Sequence, residues 1–205
     1  MNVLNEFWRE ELMKNRLREL FYCEHLTDSS EHHKLIEGFK TIRKEGKGLE
    51  KYLKKCAMEE EIAGIARTYL VRDVSNNELV GYFSLKAGSV TVNESRKWFI
   101  TEFDSIPGIE LANFAVNDAY RETHQEFSGI GKIIFYYFVQ PVAKDISSKL
   151  GAKFLYIFAL PYRELILYYC TMDFERLDKQ KENQLHRRIK PRYDRSCVFM
   201  YQLIE

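Results

Sequence analysis

The chain has 205 residues, 31 basic against 30 acidic, 45% apolar and 30% charged, with 14 Phe, 13 Tyr, four Pro and ten Gly. These values fit one soluble globular domain spanning 1–205 with a sizeable core, and they exclude a collagenous chain, a linker and a disordered polyelectrolyte. A formal net charge of +1 gives no global argument for nucleic acid or membrane binding, so either must rest on a local patch.

Residues 4–20 set Leu4, Phe7, Trp8, Leu12 and Leu17 near helical spacing, which predicts an amphipathic N-terminal helix as an appendage over 1–20. The charges at Glu6, Arg9, Glu10, Glu11, Lys14 and Arg16 argue against a signal peptide. Residues 21–26 predict a short strand. Thr27, Asp28, Ser29 and Ser30 supply N-cap chemistry for a helix over 31–43, which Gly46 and Gly48 break. A helix over 49–62 places Leu49, Tyr52, Leu53, Cys56 and Ala57 on one face.

The hydrophobic period then changes. Residues 66–73 are β-rich, Ser75-Asn76-Asn77 signals a turn, and 79–85 predict the second strand of a hairpin. Residues 90–106 read as irregular, with one helical turn around 94–100. A strand is expected over 109–116 and a polar loop over 117–128. A long apolar helix follows from about 129 to 150, kinked or robbed of a hydrogen bond at Pro141. The apolar run 153–160 predicts a strand buried on both faces. Pro161 opens a helix to about 172, and a last strand spans 196–204. Helices interleaved with a partly antiparallel sheet make the class α+β.

The four cysteines, Cys23, Cys56, Cys170 and Cys197, show no CxxC pair and read as buried free thiols in a reducing, cytoplasmic setting. The longest apolar run, 133–139, is too short to span a bilayer, so no membrane partner is expected. The histidines show no ligand spacing, and no metal site is expected.

Chemistry concentrates in 109–174. Gly129-Ile130-Gly131 stands where a helix begins. Glycines let backbone N–H groups approach a ligand closely, and a helix start adds orphan donors and the positive end of its dipole. Together these suit a phosphate. A tight strand-to-helix turn explains the same glycines, and neither a Walker loop nor a dinucleotide fingerprint is present.

The segments ARTYLVRD…ELVGYFSLKAGSV (66–90), IELANFAVND (109–118), SGIGKIIFYYFV (128–139), KFLYIFAL (153–160) and ELILYYCTMDF (164–174) resemble the GCN5-related N-acetyltransferases. ARTYLV followed by LVGYFSLKAGSV resembles the branch of bacterial toxins that acetylate aminoacyl-tRNA. The resemblance covers roughly 49–204. It implies a mixed, twisted sheet with splayed central strands, flanked by helices. It implies acetyl-CoA as cofactor and transfer of acetyl to a primary amine. Phe114, Ala115 and Val116 would pair with the pantetheine arm. Ser128, Gly129, Ile130, Gly131 and Lys132 would hold the pyrophosphate. Glu126 stands where the family carries Arg or Gln, and Arg121 is the candidate displaced basic residue. Tyr169, five residues before Phe174, would protonate the departing thiolate, and Asp173 replaces the usual Gly. Glu110 is the candidate general base, with His124 a weaker one.

The acceptor stays open. Residues 176–195 carry eight basic and three acidic side chains, which suits an RNA backbone or a solvated loop. The α-amine of aminoacyl-tRNA is one acceptor, and a small-molecule or peptide amine is another. A catalytically impaired acyl-CoA-binding protein is the reading from a different class. The resemblance further implies an antitoxin or a second copy of the chain as partner.

Overall fold

The computed structural model describes residues 16–17, 19–97, 100–127, 129–189, 191 and 194–204, with the backbone alone over 91–97 and 100–104. In chain order it holds β1 (Phe21–His25), α1 (Ser30–Gly38), a 3-10 turn (Lys44–Gly46), α2 (Lys47–Lys55), α3 (Ala57–Ile62), β2 (Arg67–Asp73), β3 (Leu79–Lys97) and β4 (Ile100–Val116). There follow α4 (Asp118–Thr123), α5 (Ile130–Ile134), a π-helical segment (Phe135–Val139), α6 (Gln140–Leu150), β5 (Phe154–Ala159), α7 (Arg163–Cys170), β6 (Glu175–Arg176), α8 (Lys179–His186) and β7 (Val198–Leu203). The strands are hydrogen-bonded in the order β1-β2-β3-β4-β5-β7-β6. β4 and β5 run parallel, whereas β1–β2, β5–β7 and β6–β7 are antiparallel. The sheet is therefore mixed, and the α+β class holds.

Several elements differ from expectation, each for a local reason. The helix expected over 31–43 starts where Ser29 caps it, its hydroxyl accepting from the His32 N–H, but stops at Gly38. Beyond it the N–H groups of Lys40, Thr41 and Ile42 donate to Asn117, Glu50 and Asp118 instead of to helix carbonyls. The 117–128 loop contains α4, because Asn117 accepts from the Ala119 N–H as an N-cap. Residues 90–106 are not irregular: the extended backbone of β3 runs to Lys97 and that of β4 starts at Ile100. The 176–195 stretch holds α8, started by Asp178, whose carboxylate accepts from the Lys181 N–H. Pro141 acts as expected. The π-helical turn lies directly before it, with the Gln140 N–H donating to the Phe135 carbonyl. A proline ring crowds the preceding turn and supplies no N–H, and the wider turn gives the ring room. Most of the 4–20 helix lies outside the described residues; residues 16–17 and 19–20 are helical.

The chain forms two compact units, Met1–Ser84 with Asn113–Pro141, and Leu85–Ala112 with Val142–Glu205. In the first, Leu26, Ile36, Phe39, Leu53, Leu70, Leu79 and Tyr82 form the core. The Tyr82 hydroxyl satisfies itself on the Leu49 carbonyl at 2.7 Å, so the ring is fully buried without an orphan donor. In the second, Val90, Phe154, Tyr156, Phe158, Leu185, Cys197 and Phe199 cluster. All six residues of β5 are buried, the pattern expected of a strand covered on both faces. The cysteines are free, but Cys170 is exposed and only Cys197 is buried; Cys23 and Cys56 are half-buried. The expectation of uniformly buried thiols is corrected there, since Cys170 ends α7 on its outer side.

Candidate functional site

In the first unit, β4 ends at Phe114-Ala115-Val116 and the glycine turn follows α4. Phe114 and Ala115 are buried and Val116 is half-buried. A Cβ on Gly81 would come within 2.7 Å of both the Ala115 carbonyl and the Ile134 side chain, so glycine there lets β3, β4 and α5 pack closely. Phe114 packs near Phe135 at 6.3 Å between ring centroids. The end of β4 is thereby tied to the helix that starts at the glycine turn.

Gly129 has φ +82°, the left-handed region, and caps α5. Its missing Cβ faces open space, so backbone conformation and not crowding requires glycine. The expected donors divide. The Ile130 N–H donates to the Phe127 carbonyl at 3.2 Å and the Lys132 N–H to the Gly129 carbonyl at 2.8 Å. Among the described residues the Gly129 and Gly131 amides have no acceptor. Ser128 lies outside the described residues. Lys132 is half-buried.

The segment between β4 and the glycine turn is firmly fastened. The Asn117 side chain accepts from the Lys40 and Ala119 N–H groups and donates to the Leu79 carbonyl. The buried Tyr120 hydroxyl donates to Asp73 at 2.6 Å, and Phe127 meets Phe21 edge-on at 5.0 Å. Arg121 is exposed and donates to Asp118 one turn back at 3.1 Å. Glu126 is exposed. His124 stacks on Tyr120 at 4.0 Å and its Nδ1 lies 2.9 Å from the Thr123 hydroxyl, a structural placement for a residue read as a weak candidate base.

In the second unit, β4 and β5 share three register positions, Gly108–Phe154, Ile109–Leu155 and Glu110–Tyr156. β5 continues three residues beyond that register, to Ala159, and β4 continues to Val116. Glu110 stands at the last paired position. It is half-buried and accepts from the Tyr156 hydroxyl at 3.4 Å. The Tyr156 phenol is held well above its ordinary range by burial and by the Glu110 charge. Gly88 makes room for it: a Cβ there would overlap the phenol oxygen and approach Cζ to 2.9 Å. Sequence reading took Tyr156 as core. A hydroxyl in a strand buried on both faces was the available sign, because it demands a partner.

Tyr169, on α7, is 5% exposed. Its ring sits edge-on to Phe174 at 5.6 Å and to Tyr168 at 6.0 Å. Burial, with Tyr168 adding to it, raises its pKa, so the phenol keeps its proton throughout the neutral range. Among the described residues nothing bonds its hydroxyl, which is nevertheless not sealed from the surface. Asp173 has φ +64°, and the Phe174 N–H donates back to the Tyr169 carbonyl at 3.2 Å. This left-handed helix end accounts for the glycine that the resemblance expects there. Among the described residues no three His, Cys, Asp or Glu side chains form a metal-holding group. No described helix is long and apolar enough to cross a membrane.

No protein-family model and no curated protein sequence matches the chain. Solved structures do match its fold. A tyrosine-to-phenylalanine mutant of the AtaT toxin, bound to the C-terminus of the antitoxin AtaR and acetyl-CoA, is 16% identical with a TM-score of 0.61, covering 90% of this chain and 93% of that one. A tyrosine-to-phenylalanine mutant of KacT is 15% identical with a TM-score of 0.61, covering 90% and 95%. AtaT complexed with acetyl-methionyl-tRNAfMet is 15% identical with a TM-score of 0.58, covering 87% and 93%. The chain therefore has the fold of these toxins, the GCN5-related acetyltransferase fold that the sequence resemblance implies.

Proposed function

We propose that the protein is an N-acetyltransferase that takes acetyl from acetyl-CoA and gives it to a primary amine. The observation that carries this reading is Tyr169. It is a protonated phenol with a buried ring and a hydroxyl that nothing among the described residues bonds, on a fold shared with a toxin structure that contains acetyl-CoA. Bound acetyl-CoA would supply the acyl group and a thiol leaving group. The chain supplies the rest. The Gly129 amide, exposed at the left-handed turn, is the donor offered to pyrophosphate oxygens, whereas Gly131 is buried behind it. Lys132 and Arg121 are the basic side chains of that segment, although Arg121 is engaged by Asp118. The backbone of Phe114, Ala115 and Val116 offers strand donors and acceptors to the pantetheine arm, and polarises the reacting carbonyl. Tyr169 protonates the sulfur as it leaves. Glu110, oriented by Tyr156, accepts a proton from the acceptor side.

The acceptor we favour is the α-amine of an aminoacyl-tRNA. The basic surplus of 176–195 supports it, as does the fold shared with AtaT in its acetyl-methionyl-tRNAfMet complex. Within that stretch Lys181 pairs with Asp178 at 3.3 Å and Arg176 approaches Glu182 at 3.5 Å. An antitoxin, or a second copy of the chain, is the expected protein partner, and the cytoplasm the expected place of action. Labelled acetyl-CoA incubated with charged tRNA of every amino acid, beside a panel of small amines and peptides, tests the reading. Label on charged tRNA alone is the expected result. Label on small amines alone would move the acceptor class. Acetyl-CoA binding with label on neither would leave a cofactor-binding protein without transferase activity.

A further inference from the structure

The second unit holds a cavity of about 410 Å³ that the acetyltransferase reading does not use. Phe154 of β5 and Phe199 and Tyr201 of β7 line it from one sheet face. They share that face because Phe154 registers with Leu203, and alternate residues of a strand point to the same side. Val90 and Ile106 add side chains from β3 and β4. Leu177 and Leu185, before and within α8, pack against the same apolar cluster and line the cavity too.

The elements around this space are fastened. Glu182 of α8 accepts the Phe199 N–H at 3.1 Å, one residue beyond the last register position of β6 with β7, Arg176–Met200. The Lys153 N–H donates to the Pro107 carbonyl at 2.9 Å, and the Lys153 carbonyl accepts from the Ile204 N–H at 3.1 Å. An unfilled space forfeits dispersion contacts on its lining, and these bonds oppose the collapse that would recover them. The volume lies within the range of small-molecule sites, about 300–1,000 Å³.

The polar lining has one sign. Lys153, Lys181 and Gln184 are exposed at the rim, and among the described residues no carboxylate lines the cavity. The nearby acids are engaged elsewhere. Glu182 holds the Phe199 N–H and approaches Arg176, and Glu175 accepts from the Tyr201 hydroxyl at 3.4 Å. Asp178 pairs with Lys181 at 3.3 Å, an exposed pair that a ligand can displace at little cost. The Lys153 ammonium has no partner among the described residues. One unpaired cation and one weakly held cation over apolar walls suit a single negative charge on an apolar body. A polyphosphate would find two lysines and no backbone cradle, and a neutral hydrocarbon would leave both ammonium groups unused.

We infer that this cavity binds an amphipathic carboxylate, with its apolar body between the sheet and α8 and its carboxylate on Lys153 and Lys181. Neither Tyr169, Glu110 nor the glycine turn lines the cavity, so the inference stands apart from the acetyltransferase reading. The test titrates the full chain with octanoate, octan-1-ol and octylammonium, read by calorimetry and by unfolding temperature. Octanoate should saturate a single site, octan-1-ol should bind about 10-fold more weakly, and octylammonium should not bind. Lys153→Met and Lys181→Met keep an apolar stem at exposed positions, so the unliganded unfolding temperature should not change. Each should weaken octanoate about 5–10-fold and leave octan-1-ol unaffected. Leu177→Trp should fill the space and remove binding of both; if that variant fails to fold, the lysine variants decide. Absence of saturable octanoate binding, equal binding of octanoate and octylammonium, or wild-type octanoate affinity in the folded lysine variants would overturn the assignment. An acetyl-CoA shift in a chain that ignores octanoate would overturn it while leaving the acetyltransferase reading standing.

Discussion

Tyr169→Phe removes one oxygen from a packed ring and nothing else. The ring contacts with Phe174 and Tyr168 persist, since neither involves the hydroxyl. No hydrogen bond among the described residues is lost, so no buried partner is orphaned, and the unfolding temperature should stay within about 1–2 °C of wild type. Truncation to Ala would instead empty a ring-sized space at a cost of about 3–5 kcal/mol, and its activity could not be interpreted. If the phenol protonates the sulfur, its loss should lower kcat by roughly 10²–10⁴-fold, equivalent to about 3–5 kcal/mol of barrier. The KM for acetyl-CoA should change little, because the group acts late in the reaction and not in binding. Thiol release with a colorimetric reagent, run beside thermal unfolding, reads both quantities. A folded Tyr169→Phe within a few-fold of wild-type kcat would refute the assignment.

Four further outcomes follow from the same contacts. Tyr82, Tyr120, Tyr156 and Tyr169 are buried, and desolvation lifts each above the ordinary phenol value of 10.0. The folded state then holds protons that the unfolded state has lost, so stability is complete below pH 10 and falls above it, by about 1.4 kcal/mol per pH unit for each phenol. Urea titrations from pH 8 to 11 should show that decline, and a flat profile would contradict the burial. Gly88→Ala should destabilise by about 1–3 kcal/mol by driving the Tyr156 ring from its place. Combined with Tyr156→Phe the two costs should be non-additive, and strict additivity in a double-mutant cycle would deny the contact. Gly129→Ala should cost about 1–2 kcal/mol from its positive φ, whereas Asp173→Gly should be neutral or stabilising by up to about 1 kcal/mol. Denaturant midpoints check both signs.

Much of the second unit and of the glycine turn could be read directly from the sequence. The apolar run of β5 announced its burial and Gly129 announced a helix start, but sequence reading took that glycine for close approach, whereas its φ of +82° is what requires it. Other elements resisted for physical reasons. The extensions of β3 and β4 hide because Asn93-Glu94-Ser95-Arg96 and Pro107-Gly108 read as breakers, although Ser89-Val90-Thr91-Val92 alternates as a strand should. The fate of α1 beyond Gly38 was decided by Asn117 and Asp118, some 76–77 residues away, which no local pattern shows. α4 was legible in principle, since Asn117-Asp118-Ala119 is cap chemistry before helix formers, but its polarity reads as loop. Glu110 gained its partner only through parallel register with β5. The cavity under α8 gathers side chains from Val90 to Tyr201, across four strands and a helix, which no local pattern shows.

The central claim is that this chain binds acetyl-CoA, and unfolding temperature with and without the ligand tests it most directly. At ~100 times its Kd a ligand stabilises by about 2.7 kcal/mol, which for a chain of this length is roughly 5–10 °C. A rise of that size with acetyl-CoA and CoA, and none with ATP, is the predicted result. An unchanged temperature at millimolar acetyl-CoA would contradict it, and would mean that Glu126 and the engaged Ile130 and Lys132 amides have closed the glycine turn to pyrophosphate.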